Sequence, residues 1–327
     1  MRPVTARAPA APRRGLARTF VAGALALGAA ALAPGAAEAQ ELEIATSVPS
    51  LGFPFFVHMQ KAMADEAGAL GDVSLMESDG QNSTPKQTAD MESAIIKGVD
   101  GIVLSPIDSV AMAPVLSQAI ESGIPVITVD RALQGVDGVL QHVGADNVLG
   151  GEAQANLVME LFPDGARIVN LQGQPGASPA IDRNQGLHNV LDGKEGYEFV
   201  AEQTANFARE EGASVTEAIL AGLDSPPDVI VAANDDMALG ALQVAQERNL
   251  DVPIIGFDAL PEALGSVRDG GLAATIEQFP AEQARTAMRA MAAYLRDGTE
   301  PEKLMLLTPV AITADNVNEA ERIGEVE

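Results

Sequence analysis

Six polar residues sit where an alternating chain of this kind could do chemistry. Asp130 and Arg131 close the apolar run "IPVITVDR", Asn234 follows "VIVAA", Asp258 follows "PIIGF", and Gln278 follows "LAATIE". Arg183, beside Asp182, enters the helical pattern "PAIDRN". The stretch "SLGFPFFVHM" adds Phe53, Phe55 and Phe56, in a chain with nine Phe, two Tyr and no Trp. Together these groups suit a polyol. An aliphatic C–H face stacks on aromatic rings, carboxylates accept from hydroxyls, and Arg and Asn donate to them. Catalysis fits poorly. His58, His142 and His188 are isolated, no Cys is present, and no acidic residue has an evident acid–base partner. Phosphate-cradling GxxxxGK[ST], dinucleotide GxGxxG after a strand, and a GxSxG elbow are all missing. The sequence therefore predicts no catalytic residue, no metal site and no cofactor.

Each of these residues also has a plainer reading. Asp130 and Arg131 could form an ion pair at a strand end. Asn234-Asp235-Asp236 reads as a helix N-cap cluster, with Asp235 or Asp236 as the cap and Asn234 facing a cleft. Asp146-Asn147 reads as the cap of the helix from Val148. Successive helical positions diverge by about 100°, so one of Phe55 and Phe56 is expected in the core.

The elements that must position these groups alternate. "LEIATSV", "VSLM", "GIVLSP" and "IPVITVD" read as strands, separated by helical patterns such as "FFVHMQKAMADEAGAL" and "KQTADMESAIIKG". The rhythm repeats through "ARIVNLQG", "EFVAEQ", "PDVIVAAND", "VPIIGFD" and "LAATIEQF", and "LMLLTPVAIT" is extended. Short strands alternating with helices imply βαβ units and parallel sheets. About ten such units are more economical as two α/β lobes than as one sheet. Ligands of open α/β sheets bind beyond the carboxyl ends of the strands, where the polar residues fall.

The first 39 residues differ in kind. Arg2, Arg7, Arg13, Arg14 and Arg18 precede the apolar run Phe20 to Ala33, and Ala37-Glu38-Ala39 fits a small-x-small cleavage site before Gln40. This is the pattern of a secretory signal peptide. An ordinary basic n-region is a simpler reading of Arg13-Arg14 than a twin-arginine signal. The apolar run is shorter than the roughly 20 residues that span a bilayer. Cleavage removes five Arg and one Glu from 20 basic and 46 acidic residues, leaving a net charge of −30. Such an acidic chain repels nucleic acid and anionic membrane surfaces. It also suits a saline habitat, for which the melting temperature would rise with added NaCl.

The motifs "PFF", "IPVITVDR", "GADNVLGG", "AIDRNQG", "NDDMALGA", "GFDALP" and "ATIEQFP", in this order, cover essentially the whole mature chain. In combination they resemble the periplasmic sugar-binding proteins of the ribose-binding type, the substrate-capturing subunits of ABC importers. The resemblance implies two Rossmann-like lobes, each a parallel sheet flanked by helices, joined by a three-segment hinge. The lobes would comprise residues 40–144 with 279–307 and residues 145–278 with 308–327, with hinge crossings near Gly144-Ala145, Gln278-Phe279 and Leu307-Thr308. Phe55 and Phe56 would sandwich a sugar against Phe207 of "TANFARE". Asp130 and Arg131 would bind hydroxyls from the first lobe, and Arg183, Asn234 and Asp258 from the second, with Gln278 touching the ligand beside the hinge. Two positions depart from the ribose pattern: Pro49 stands where ribose binders carry Ser, and Phe53 where they carry Asn. A hydroxyl left buried without its partner costs about 1–3 kcal/mol. Pro49 and Phe53 are thus specificity positions, pointing from ribose toward another pentose, a pentitol such as xylitol, or a tetritol.

The resemblance further implies an exported, periplasmic monomer that delivers its sugar to an inner-membrane ABC permease with its ATPase. Three other readings compete with that one. The same fold could bind ribose or a furanose-form hexose and also signal to a chemoreceptor. An exported sugar-processing enzyme would need a nucleophile, metal cluster or cofactor loop. A transcription regulator of the lactose-repressor type would need a helix-turn-helix where the leader stands.

Overall fold

The computed structural model describes residues 41–326. The signal peptide expected over residues 1–39 lies outside them. Twelve strands and nine α-helices occur among the described residues. The first half runs β1 (Leu42–Val48), α1 (Pro54–Leu70), β2 (Val73–Asp79), α2 (Thr84–Lys97), β3 (Gly101–Leu104), α3 (Ala113–Glu121), β4 (Val126–Val129) and β5 (Gln141–Ala145). The second runs α4 (Asn147–Leu161), β6 (Ala166–Gln172), α5 (Ser178–Leu191), β7 (Tyr197–Thr204), α6 (Arg209–Gly222), β8 (Val229–Ala232), α7 (Asp235–Glu247), β9 (Ile254–Ile255), α8 (Pro261–Arg268) and β10 (Ala274–Glu277). Then come α9 (Pro280–Asp297), β11 (Leu304–Leu307) and β12 (Val310–Thr313).

The strands form two six-stranded sheets, ordered β11-β5-β4-β3-β1-β2 and β12-β10-β9-β8-β6-β7. The first is parallel throughout, and the second is parallel except where β12 runs against β10. The inner strands "GIVL", "VITV" and "VIVA" are buried along their whole length, as parallel strands covered on both faces must be. Each fully buried Val, Leu or Ile contributes roughly 1.5–3 kcal/mol. A carboxylate at Ile102 or Val231 would leave an unpaired charge in that core.

The chain passes between the sheets three times: after β5, after β10 through Gln278-Phe279, and between β11 and β12 through Thr308-Pro309. "LMLLTPVAIT" is therefore not one extended segment. Pro309 lacks the N–H a ladder needs, and the run splits into an edge strand of each sheet. Helix α9 follows the second passage and packs back on α1 and the first sheet.

Some helix ends follow local rules. Ser83 caps α2 by accepting from the Lys86 N–H, and Gly71 and Gly98 close α1 and α2 in the left-handed region at φ 80° and 75°. Three helices at the cleft start without a side-chain cap: Phe53 holds the N-cap position of α1, Ala177 that of α5 and Phe279 that of α9.

Candidate functional site

A cavity lies between the carboxyl ends of the two sheets, with about 340 Å³ of empty space when the open solvent at its mouth is included. Its walls are Phe53, Phe55, Phe56, Asp130 and Arg131 from the first sheet, Pro179, Arg183, Phe207, Asn234 and Asp258 from the second, and Gln278 from the second passage. The loop after β1 and that after β6, which leads to Pro179 and Arg183, leave strands flanked on both sides. They are the switch points of their sheets, where ligands of such folds bind.

The aromatic wall follows from one helix end. Pro54 starts α1 at a position where its missing N–H is no loss. Phe55 and Phe56 follow and pack edge-to-face, with centroids 5.1 Å apart, while Phe53 meets Phe56 at 6.4 Å. Both Phe55 and Phe56 line the cavity and both are buried, so the division into one core ring and one cleft ring is corrected. Helical side chains lean toward the N-terminus, and here that end points into the cleft. Phe207 faces them from the second sheet, and Gly173 makes room for its ring: a Cβ there would collide with it.

On the first sheet, Asp130 lies in the left-handed region at φ 62° and its carboxylate accepts from the Ser105 hydroxyl at 3.1 Å. Burial pushes its pKa up, opposed by Arg131, Arg183 and the Ser105 bond. Arg131 donates to the Ile107 carbonyl at 2.9 Å and to Gln174 at 3.1 Å. Its guanidinium lies 5.3 Å from the Phe56 centroid and 5.6 Å from that of Phe207. Burial lowers its pKa to about 10, against the raising effect of Asp130. Arg131 and Asp130 approach to 3.8 Å, so the ion-pair reading and the cleft reading both hold.

On the second sheet, Arg183 donates through Nε to Asn147 at 2.8 Å and through Nη1 to the Ala233 carbonyl at 2.6 Å. Its guanidinium lies 3.6 Å from the Phe257 centroid and 3.7 Å from the Asp258 carboxylate. The backbone under it is fixed by α4 and α5 in close contact, since a Cβ on Gly151 would collide with the Arg183 carbonyl. Asp258, at φ 118°, accepts from the Gln278 amide at 2.5 Å. Burial pushes Asp258 up to about 7, opposed by Arg183 and the Gln278 bond. Gln278 Oε1 is buried with no hydrogen-bond partner among the described residues.

Asn234 corrects the expected capping. Its side-chain oxygen accepts from the Met237 N–H at 3.1 Å, so Asn234 itself is the N-cap of α7, and its amide donates to the Phe207 carbonyl. An acidic cap would put a charge where the cavity already holds two carboxylates. Asp235 is instead fully buried below, accepting from the Leu260 N–H and the Thr275 hydroxyl. Asp236 pairs with Arg209 at 3.2 Å. Asp146 caps α4 by accepting from the Leu149 N–H.

Of the expected site residues, the cavity brings together all but Pro49, which is buried outside its lining and whose carbonyl accepts from the Asn82 N–H. Three residues that the sequence did not assign to the site support the wall: Phe257 under Arg183, Asn147 (expected only at a helix cap) on its Nε, and Ser105 on Asp130. Phe257 precedes Asp258 in "GFD", a signal open to a reader who asks what carries a buried guanidinium.

Residues 44–300 match the model described as periplasmic binding protein domain. The chain belongs to that family. The ribose import binding protein of Bacillus subtilis is 40% identical over 74% of this chain and 77% of its own length. The Caulobacter myo-inositol binding protein, solved with myo-inositol bound, is 42% identical with a TM-score of 0.83, covering 88% of this chain and 98% of that one. The xylitol-binding protein of Mycolicibacterium smegmatis is 29% identical over 91% of this chain and 85% of its own length. This periplasmic binding protein is thus of the ABC-transporter sugar-binding type and is not an enzyme.

As a periplasmic binding protein it presents a balanced set of free hydrogen-bonding groups. Asp130 Oδ1, Asp258 Oδ2 and Gln278 Oε1 remain as acceptors once internal bonds are made. The Nη2 groups of Arg131 and Arg183 and the second Asn234 amide hydrogen remain as donors. Two carboxylates stand against two guanidiniums.

Proposed function

We propose that the chain captures a neutral, monosaccharide-sized polyol between its two sheets and delivers it to a membrane permease, with a cyclitol such as myo-inositol as the first candidate. The observation that carries this reading is the pair Phe56 and Phe207, contributed by opposite sheets to one cavity rimmed by matched acceptors and donors. Hydroxyls both donate and accept, so a polyol uses both halves of the rim. A phosphate or carboxylate would only accept, and would add charge to a rim already balanced. A ring is preorganised for two flat walls, whereas an acyclic polyol loses conformational freedom on binding. Phe53, in place of a hydrogen-bonding residue, argues against ribose. The 42% identity to a myo-inositol binder supports the cyclitol.

Closure follows from shared contacts. Residues 40–144 with 279–307, and 145–278 with 308–327, act as the two moving lobes, turning about the three passages between the sheets. Only the closed state lets both lobes touch the ligand, so the ligand favours it. Export to the periplasm as a monomer is part of the same reading, and a chemoreceptor is a further recipient of the closed form.

A thermal-shift panel of myo-inositol, xylitol, erythritol and ribose tests it, because a ligand of the native state raises stability by RT ln(1 + [L]/Kd). Myo-inositol is expected to give the largest shift. A panel in which ribose dominates and the polyols give nothing would overturn the assignment.

A further inference from the structure

The loop between β6 and α5 reaches across the mouth of the cleft and bonds directly to the first sheet. The Gly176 carbonyl accepts from both the backbone N–H and the hydroxyl of Ser109, each at 2.9 Å. Gln174 donates to Asn82 at 3.0 Å and accepts from Arg131 at 3.1 Å. The Ser178 hydroxyl accepts from the Ala132 N–H at 2.8 Å. One loop of the second sheet thus grips the loops after β2, β3 and β4. Of these residues only Arg131 lines the cavity. The remaining bonds do not involve any cavity-lining side chain.

We infer that residues 174–178 are a clasp: a set of positioning residues that hold the closed state and orient Arg131 without contacting the ligand. This rests on the sugar-capture reading. Gln174 fixes the Arg131 guanidinium between Phe56 and Phe207, and Ser109 with Gly176 forms the latch itself. Their bonds form on closure and break on opening, so they add to the free energy of closure for every ligand alike. The clasp sets how long a polyol is retained, while the cavity wall sets which polyol is taken. Gly176 is fitted to the task. It sits at φ +85°, and a Cβ on it would collide with the Asp108 carboxylate of the opposite lobe. That collision exists only when the clasp is shut.

Two variants test this, with and without ligand. Gln174→Ala should weaken myo-inositol binding by about tenfold in calorimetry. The loss should appear as faster release at unchanged capture rate, with the ranking of the polyol panel and the unliganded melting temperature unaltered. A variant that only loosened the fold would move the melting temperature instead. Without ligand, Gly176→Ala should show a larger radius of gyration by small-angle scattering than the wild-type protein, and adding Asp108→Ala should reverse the change. The clasp is overturned if Gln174→Ala binds within about twofold of wild type, or if the ligand-free scattering of Gly176→Ala matches wild type. A wild-type protein that binds none of the panel refutes the sugar reading, and the scattering comparison still decides the clasp.

Discussion

The Gln278 amide donates to the Asp258 carboxylate at 2.5 Å, where the chain leaves the second sheet for α9. The Gln278 backbone carbonyl accepts from Gln283 in α9 at 2.7 Å. One residue therefore ties a cavity-lining carboxylate to the passage between the sheets.

On the sugar-capture reading, burial of Asp258 should make binding sensitive to pH. Burial holds unliganded Asp258 near a pKa of about 7. A ligand hydroxyl that donates to it favours the carboxylate and lowers that pKa in the complex. Binding then releases a proton, and affinity rises as pH increases, by up to about tenfold per unit below pH 7 and levelling off above. Calorimetry in buffers of different ionisation enthalpy should detect that proton. Asp258→Asn should bind weakly with a flat profile, and a flat profile in the wild-type protein would separate Asp258 from the ligand.

Arg183 and Asp130 should be indispensable. Each is buried and has its own partners inside the wall. Arg183→Ala removes a donor and leaves Asp258 without its nearby cation. Truncating one partner of a buried, hydrogen-bonded charge pair at a binding surface costs roughly 2–5 kcal/mol, about thirtyfold or more in affinity. Asp130→Ala should abolish binding as well. Both should still unfold cooperatively in calorimetry, because the sheets beneath are packed by other residues. Wild-type affinity in either variant would remove that residue from the site.

His142, on β5, gives a separate prediction about stability. Burial lowers its pKa to about 4, opposed by the bond to Thr128. A folded-state pKa below the unfolded value means the unfolded chain binds the proton more tightly, so stability falls as pH drops from 6.5 through 4. The shift corresponds to about 3 kcal/mol. Asp258, whose pKa is raised, works in the opposite sense, so the variant comparison isolates His142. Urea unfolding at pH 6.5 and at pH 4 should show His142→Gln losing less stability than wild type. Equal losses would mean that His142 takes up its proton as readily in the fold as in the unfolded chain.

Much of this architecture was legible. Strand ends could be read because buried parallel strands are uninterrupted apolar runs, and each stops at the polar residue that faces the cleft: Asp130, Asn234, Asp258, Gln278. The double use of Asn234 was not legible, since cap and cleft lining demand the same residue type. Nor were the left-handed backbones of Asp130, Phe207 and Asp258, at φ 62°, 62° and 118°. Only Gly advertises that conformation in a sequence, and the strain of a non-Gly residue there is held by its surroundings. Phe207 carried no local signal and entered through family resemblance alone. Gln174 and Ser109 were invisible because their partners lie on the other lobe, where no periodicity reports a contact.

Phe53 is the residue through which ligand choice should be tested first. It occupies the N-cap of α1, with φ −104° and ψ 121°, yet makes no capping bond. Phe53→Asn would restore both a cap and the hydrogen-bonding group of the ribose pattern. The cap adds about 1 kcal/mol, and the lost contact with Phe56 removes a similar amount for a partly buried ring. The unliganded melting temperature should therefore barely change. Ligand ranking should change more: a hydroxyl that gains its partner is favoured by about tenfold. Competition between ribose and myo-inositol should shift toward ribose by that factor. An unchanged ratio would show that Phe53 only packs against Phe56, and that selection lies with the polar rim instead.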